Sequence, residues 1–124
     1  MQVTILKQGY NLVAAIQGAL TDTDLRQFQA DLMDQVTQHR PRGVVVDVSA
    51  MDVMDSFATR TLRSIAWMIR LRGAEPVIVG IQPDVAFSMV QLGLNLVGVA
   101  TRLDLEDGLA SLDRRARGGE RRGQ

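Results

Sequence analysis

Residues 47–57 read Asp-Val-Ser-Ala-Met-Asp-Val-Met-Asp-Ser-Phe, and they hold the chain's densest arrangement of groups that could do chemistry. Ser56 follows Asp55 and stands just before an apolar stripe of helical spacing, so it is expected to cap a helix. A hydroxyl at that place can also be modified. A phosphoryl group there would meet the positive end of the helix dipole and free backbone N–H groups. It would add up to about two negative charges beside Asp52 and Asp55. Asp22 and Asp24, before the preceding helix, would share the same crevice. Such a site changes what docks on the domain without unfolding it.

Other chemistry is scarce. The chain has no cysteine, which removes disulfides, thiol nucleophiles and thiolate-bound zinc. Its one histidine, His39, stands at the end of a helical pattern, where the dipole favours it as a solvated residue. No histidine or carboxylate spacing suits a metal. No glycine-rich phosphate loop follows any strand, and no serine has a recognisable base. The expectation is a non-enzymatic protein without cofactor or metal.

The elements that would position Ser56 follow from periodicity. Val3–Leu6 and Leu12–Ile16 form two apolar runs around a turn at 7–11, an antiparallel hairpin. Leu25, Phe28, Leu32 and Val36 recur at helical spacing behind Leu20-Thr-Asp-Thr-Asp24, and Arg40-Pro-Arg-Gly43 ends that helix. Residues 43–49 are a β-branched run suited to a strand buried on both faces. Phe57–Arg72 is the second helix, with Ala58, Leu62, Ile65, Ala66 and Ile69 inward and Gly73 past its end. Residues 76–81 form a further strand. Pro83 opens a third helix through Val85, Ala86, Met89 and Val90. A short strand at Leu96–Thr101 precedes a last helix capped by Asp104, with Leu105, Leu109 and Leu112 inward. The order β-β-α-β-α-β-α-β-α implies an α/β fold with a mixed, mostly parallel sheet and right-handed crossovers. Trp67, Met68 and Leu71 lie off the inner stripe of the second helix and are expected in an oligomer interface.

The chain has 124 residues, 46% hydrophobic and 23% charged, the composition of one globular domain. Fourteen basic residues balance fourteen acidic ones, yet five arginines against Glu120 occupy the stretch from Arg114 onward. The remaining body is acidic, which argues against nucleic acid as a partner. No apolar run spans a bilayer and the N-terminus lacks a signal-peptide core, so a cytoplasmic domain without membrane contact is expected. Residues 1–115 are read as the domain, and 116–124 as a disordered Arg/Gly-rich tail.

The element order, the segment DVSAMDVMDSFATRTL at 47–62 and GAEPVIVGIQPDVAFSMVQLGL at 73–94 resemble a STAS domain, the anti-sigma-factor-antagonist fold. Within that family, residues 3–113 resemble the short single-domain scaffolds of the stressosome. The family's Asp-Ser or Asp-Thr pair at the second helix is matched by Asp55-Ser56, and Gly80-Ile-Gln-Pro83 is a second match. The resemblance implies that a switch-type serine/threonine kinase phosphorylates Ser56 and a cognate phosphatase reverses it. It implies that the unphosphorylated domain, assembled with longer STAS sensor paralogues, holds the kinase in a large homo- or hetero-oligomer and releases it under stress. Asp22, Asp24, Asp55, Phe57 and Thr59 are the expected kinase-binding residues. The longer paralogues bear a further threonine before the first helix, where this chain has Asp22 between Thr21 and Thr23. Two alternatives stand beside this reading: a single soluble anti-sigma-factor antagonist, and a STAS module that binds a nucleotide or small ligand.

Overall fold

A computed structural model of the chain describes residues 3–18 and 20–122. Strands β1 (Val3–Gln8) and β2 (Asn11–Ile16) form the expected hairpin, joined through Gly9 at positive φ. Helix α1 (Asp22–His39), β3 (Gly43–Asp47), α2 (Ser56–Leu71), β4 (Glu75–Val79), α3 (Pro83–Gln91), β5 (Ala100–Arg102) and α4 (Leu105–Arg122) follow. The strands lie side by side in chain order, β1 antiparallel to β2 and the rest parallel.

That order decides where the helices go. Right-handed crossovers between neighbouring parallel strands must all pass over one face of the sheet. The strand side chains alternate to match. Leu12, Ala14, Val44, Val46 and Ile78 join the main core with Phe28 and Leu32 of α1, Leu62 and Ile65 of α2, and Val85 and Met89 of α3. Val13, Val45, Val77 and Val79 point the other way, onto Leu112 and the half-buried Leu105 and Leu109 of α4. The central strand is therefore apolar on both sides, as its sequence requires. Gly108 lets α4 lie close on the sheet: a Cβ there would come within 2.6 Å of Val79 Cγ1.

The structure adds to or departs from the sequence pattern at three places. The last strand is shorter and later than Leu96–Thr101, because Leu96 and Val99 pack on the main core as loop residues. On α3 only Val85 and Met89 are buried, and Ala86 and Val90 are exposed. Helix α4 continues through Ala116 to Arg122 where an irregular tail was expected, and residues 123–124 lie outside the described residues. Arg114, Arg115, Ala116 and Arg117 are strong helix formers, and Asp113–Arg117 adds an i,i+4 ion pair at 3.0 Å.

Candidate functional site

The starts of α1, α2 and α3 meet at the carboxyl ends of the parallel strands, the end at which open α/β sheets receive ligands and partners. At α1, Thr21 is the N-cap. Its hydroxyl accepts the Asp24 N–H at 3.1 Å, and the Asp24 carboxylate accepts the Thr21 N–H at 3.0 Å, a closed capping box. The backbone and side-chain hydrogen bonds from Thr21 hold the Asp24 carboxyl below the usual aspartate range. Asp22, beside it, is exposed.

At α2 the structure divides two roles that the sequence reading gave to one residue. Asp55, not Ser56, is the N-cap: its Oδ1 accepts the Ala58 N–H at 2.8 Å, and its carbonyl accepts the Thr59 N–H at 2.9 Å. Ser56 is the first residue inside the helix, exposed, and its hydroxyl has no hydrogen-bond partner among the described residues. Aspartate and serine cap equally well, so type alone could not decide which would take the role. Freed from capping, the Ser56 hydroxyl is presented to solvent.

The loop before Ser56 is pinned from beneath. Asp47 Oδ1 accepts both the Ser49 N–H at 2.9 Å and the Ser49 hydroxyl at 2.7 Å. Gly80, at φ +81°, lies against them; a Cβ there would come within 2.7 Å of Ser49 Cβ and 3.1 Å of Asp47 Oδ1. Gln82 Nε2 donates to the Ser49 carbonyl at 2.7 Å and to Asp52 Oδ1 at 3.4 Å. Met51 and Met54 anchor the loop in the core, while Asp52 and Val53 stand at the surface. Asp47 and Gln82 are positioning residues that the site reading did not name. The signal was available in Gly80-Ile-Gln-Pro83, whose glycine and glutamine make these contacts.

The other expected site residues divide. Phe57 is half-buried against the core, with the Arg26 guanidinium 5.6 Å from its ring centroid, so the first turns of α1 and α2 are joined there. Thr59 is 1% exposed and its Oγ1 is buried without a partner, which removes it from any docking surface. It belongs to the buried face of α2 with Ala58 and Leu62. Met68 also leaves the expected interface. It is half-buried between α1 and α2, packed on the core, with Gln29 Nε2 3.9 Å from its sulfur. Trp67 is 46% exposed; it lies on Gly98, where a Cβ would come within 2.9 Å of Cζ2, and carries the Arg70 guanidinium 5.0 Å above its ring. Leu71 is 83% exposed.

The STAS domain family model matches residues 2–108, which include every part of this crest. The chain belongs to the STAS domain family. Among solved STAS structures, a serine-to-glutamate variant of RsbS from Moorella thermoacetica is 38% identical, with a TM-score of 0.81 over 94% of this chain and 99% of that one. A chain in the structure described as the molecular architecture of the stressosome is also 38% identical, with a TM-score of 0.76 over 92% and 99%. Among curated proteins, the RsbT co-antagonist protein RsbRA of Bacillus subtilis is 27% identical over 78% of this chain. This chain spans about a third of that protein's length, 35%. The anti-sigma factor antagonist SpoIIAA, at 12% identity and a TM-score of 0.66, shares the fold. This STAS domain is thus related to RsbS and to the RsbT co-antagonist RsbR proteins, and is homologous to non-enzymatic proteins. No helix among the described residues is long and apolar enough to cross a membrane.

Proposed function

We propose that this STAS domain is a non-enzymatic, phosphorylation-switched scaffold of a stressosome, in which Ser56 is the phosphoacceptor. Unphosphorylated, it holds a switch-type serine/threonine kinase on the crest formed by Asp22, Asp24, Asp55 and Phe57. Phosphorylation releases the kinase into a stress-response pathway, and a cognate phosphatase restores the holding state. Longer STAS paralogues related to RsbRA assemble with it in the cytoplasm. The exposed Leu71 and the half-exposed Trp67 are the candidate contacts of that assembly.

The observation that carries this reading is the division of work between Asp55 and Ser56. A capping serine has its hydroxyl oxygen engaged by a backbone N–H of the first turn. A serine one residue later is accessible, keeps the cap intact and still lies in the positive field of the helix start. Its 38% identity to RsbS across nearly the whole of both chains adds support.

The test uses the full chain with a switch-type kinase from the same genome and ATP. Mass spectrometry should find phosphate on Ser56, and the modified protein should lose kinase in a capture assay while Ser56→Ala retains it. Phosphate chiefly on Thr21, Thr23 or Ser49, or undiminished capture after full modification of Ser56, refutes the reading.

A further inference from the structure

Every helix of this domain leaves the carboxyl end of a strand and returns toward the amino end. The charges follow the helices. Aspartates gather where helices begin: Asp22 and Asp24 on α1, Asp52 and Asp55 before α2, Asp84 on α3 and Asp104 before α4. Cations gather at the opposite end: Lys7 near the end of β1, Arg40 and Arg42 after α1, Arg72 after α2, and Arg114 and Arg117 on the second half of α4. The placements in the first turns and just past the last turns complement their helix dipoles. Their sum is a domain acidic at one end and basic at the other. Some of these charges are paired, and the Arg42 guanidinium lies 4.4 Å from the Tyr10 ring centroid. At the basic end Glu75 is bridged by Arg70 at 3.7 Å and by Arg115, and Asp113 by Arg117. At the acidic end Arg26, Arg60 and Arg102 are present, with Arg26 drawn onto the Phe57 ring.

The two ends also differ in shape. The amino end of the sheet is concave, with cavities of about 500 and 210 Å³ that share Tyr10, Asn11 and Arg42; the larger also carries Glu75 and Asp113 in its wall. The smaller one is lined by Lys7, His39, Arg40 and Arg42, with no acidic residue in its wall. At the acidic end the β3–α2 loop raises exposed Asp52 and Val53, the valine 72% exposed. An apolar tip flanked by aspartates matches a cavity whose wall combines Tyr10 and Pro41 with cations.

We propose that a second copy of this chain docks its acidic β3–α2 crest into the basic cavity at the amino end of the sheet, head to tail. The partner is a second copy because each surface finds its complement in charge on this same chain. The two surfaces occupy opposite ends, so the contact is heterologous and does not close on itself; copies add in series. Aligned stacking also sets the helix dipoles of successive copies head to tail. This pairing needs neither kinase nor phosphate, but it uses the crest assigned above to the kinase, so a docked copy and the kinase would compete for it.

Light scattering and sedimentation on the full unphosphorylated chain test it. Self-association should strengthen with concentration and weaken by about tenfold or more from low to high salt, because exposed charges are screened. Lys7→Glu with Arg40→Glu reverses the cavity, and Asp22→Lys with Asp52→Lys reverses the crest. Each double variant should be monomeric alone at low salt. Mixed, they should associate in alternating series, because the native acidic crest of one meets the native basic cavity of the other, and the reversed basic crest meets the reversed acidic cavity. That result also proves that both variants are folded. A wild type that stays monomeric at low salt overturns the proposal. So do reversed variants that associate as wild type does, or natively folded variants that fail to associate when mixed.

Discussion

The Asp55 carboxylate accepts the Ala58 amide hydrogen at 2.8 Å and so closes the first turn of α2. The cap is separate from the serine beside it, and the two residues should separate in stability measurements. Asp55→Ala should lower the free energy of unfolding by about 0.5–2 kcal/mol, the usual cost of a lost N-cap. Ser56→Ala removes an exposed, unpartnered hydroxyl and should stay within about 0.5 kcal/mol of wild type. Urea denaturation of both variants checks this. A Ser56→Ala loss as large as that of Asp55→Ala would return the cap to Ser56.

Thr59 has the opposite problem, since its hydroxyl oxygen is buried with nothing to bind. An unsatisfied buried polar group carries a desolvation penalty of about 1–3 kcal/mol. Valine has nearly the same shape without the hydroxyl. Thr59→Val should therefore be at least as stable as wild type, by up to about 1 kcal/mol, with kinase capture unchanged. A clear loss of stability on urea denaturation would mean that the hydroxyl has a partner in solution.

How much of this could be read from the sequence depends on the distance over which each feature is decided. The stripe Leu25, Phe28, Leu32, Val36 is local periodicity, and all four residues are buried as expected. The run at 43–49 announced a strand with two apolar faces, and Val44 and Val45 do enter opposite cores. The fold class and the place of the Asp55-Ser56 pair were legible for the same reason. Features set by long-range packing were not. Thr59 and Met68 look like surface candidates in a list of types, but the face they present depends on where α1 and the sheet meet α2. The late, short β5 reflects Leu96 and Val99 being claimed by the core before the chain joins the sheet. Choosing Asp55 over Ser56 as cap was a contest between two equal residues that only backbone geometry resolves.

Trp67 is held by the segment after α3. Gly98 takes φ +82°, and an added Cβ would come within 2.9 Å of the indole. Arg63 fastens the same segment through the Asn95 carbonyl at 3.2 Å. Gly98→Ala should destabilise by about 1–3 kcal/mol, since both the backbone and the ring oppose the methyl group. With Trp67→Ala in place the same change should cost less, the backbone part alone remaining. A double-mutant cycle measures the difference, and strict additivity would mean that the indole does not rest on Gly98. Trp67→Glu should keep its far-ultraviolet circular dichroism while reducing the size of the assembly with a sensor paralogue; loss of folding would assign Trp67 to the core instead.

A negative charge at Ser56 should change docking far more than it changes the fold. At the first position of α2 the charge gains about 0.3–1 kcal/mol from the helix dipole. Repulsion from the adjacent Asp55 carboxylate offsets part of that gain. Ser56→Asp should therefore unfold within about 1 kcal/mol of wild type. Its affinity for the kinase should fall at least about tenfold, which is about 1.4 kcal/mol, because a carboxylate buried in the contact in place of a neutral hydroxyl gives up its water without gaining a partner. Urea midpoints and equilibrium kinase binding, measured on the same preparations, compare the two quantities directly. A variant destabilised by more than about 2 kcal/mol, a range reserved for core or network damage, would attribute any lost binding to the fold. Unchanged stability with a tenfold loss of affinity would place the switch at the surface of α2, with Asp55 still holding the helix beneath it.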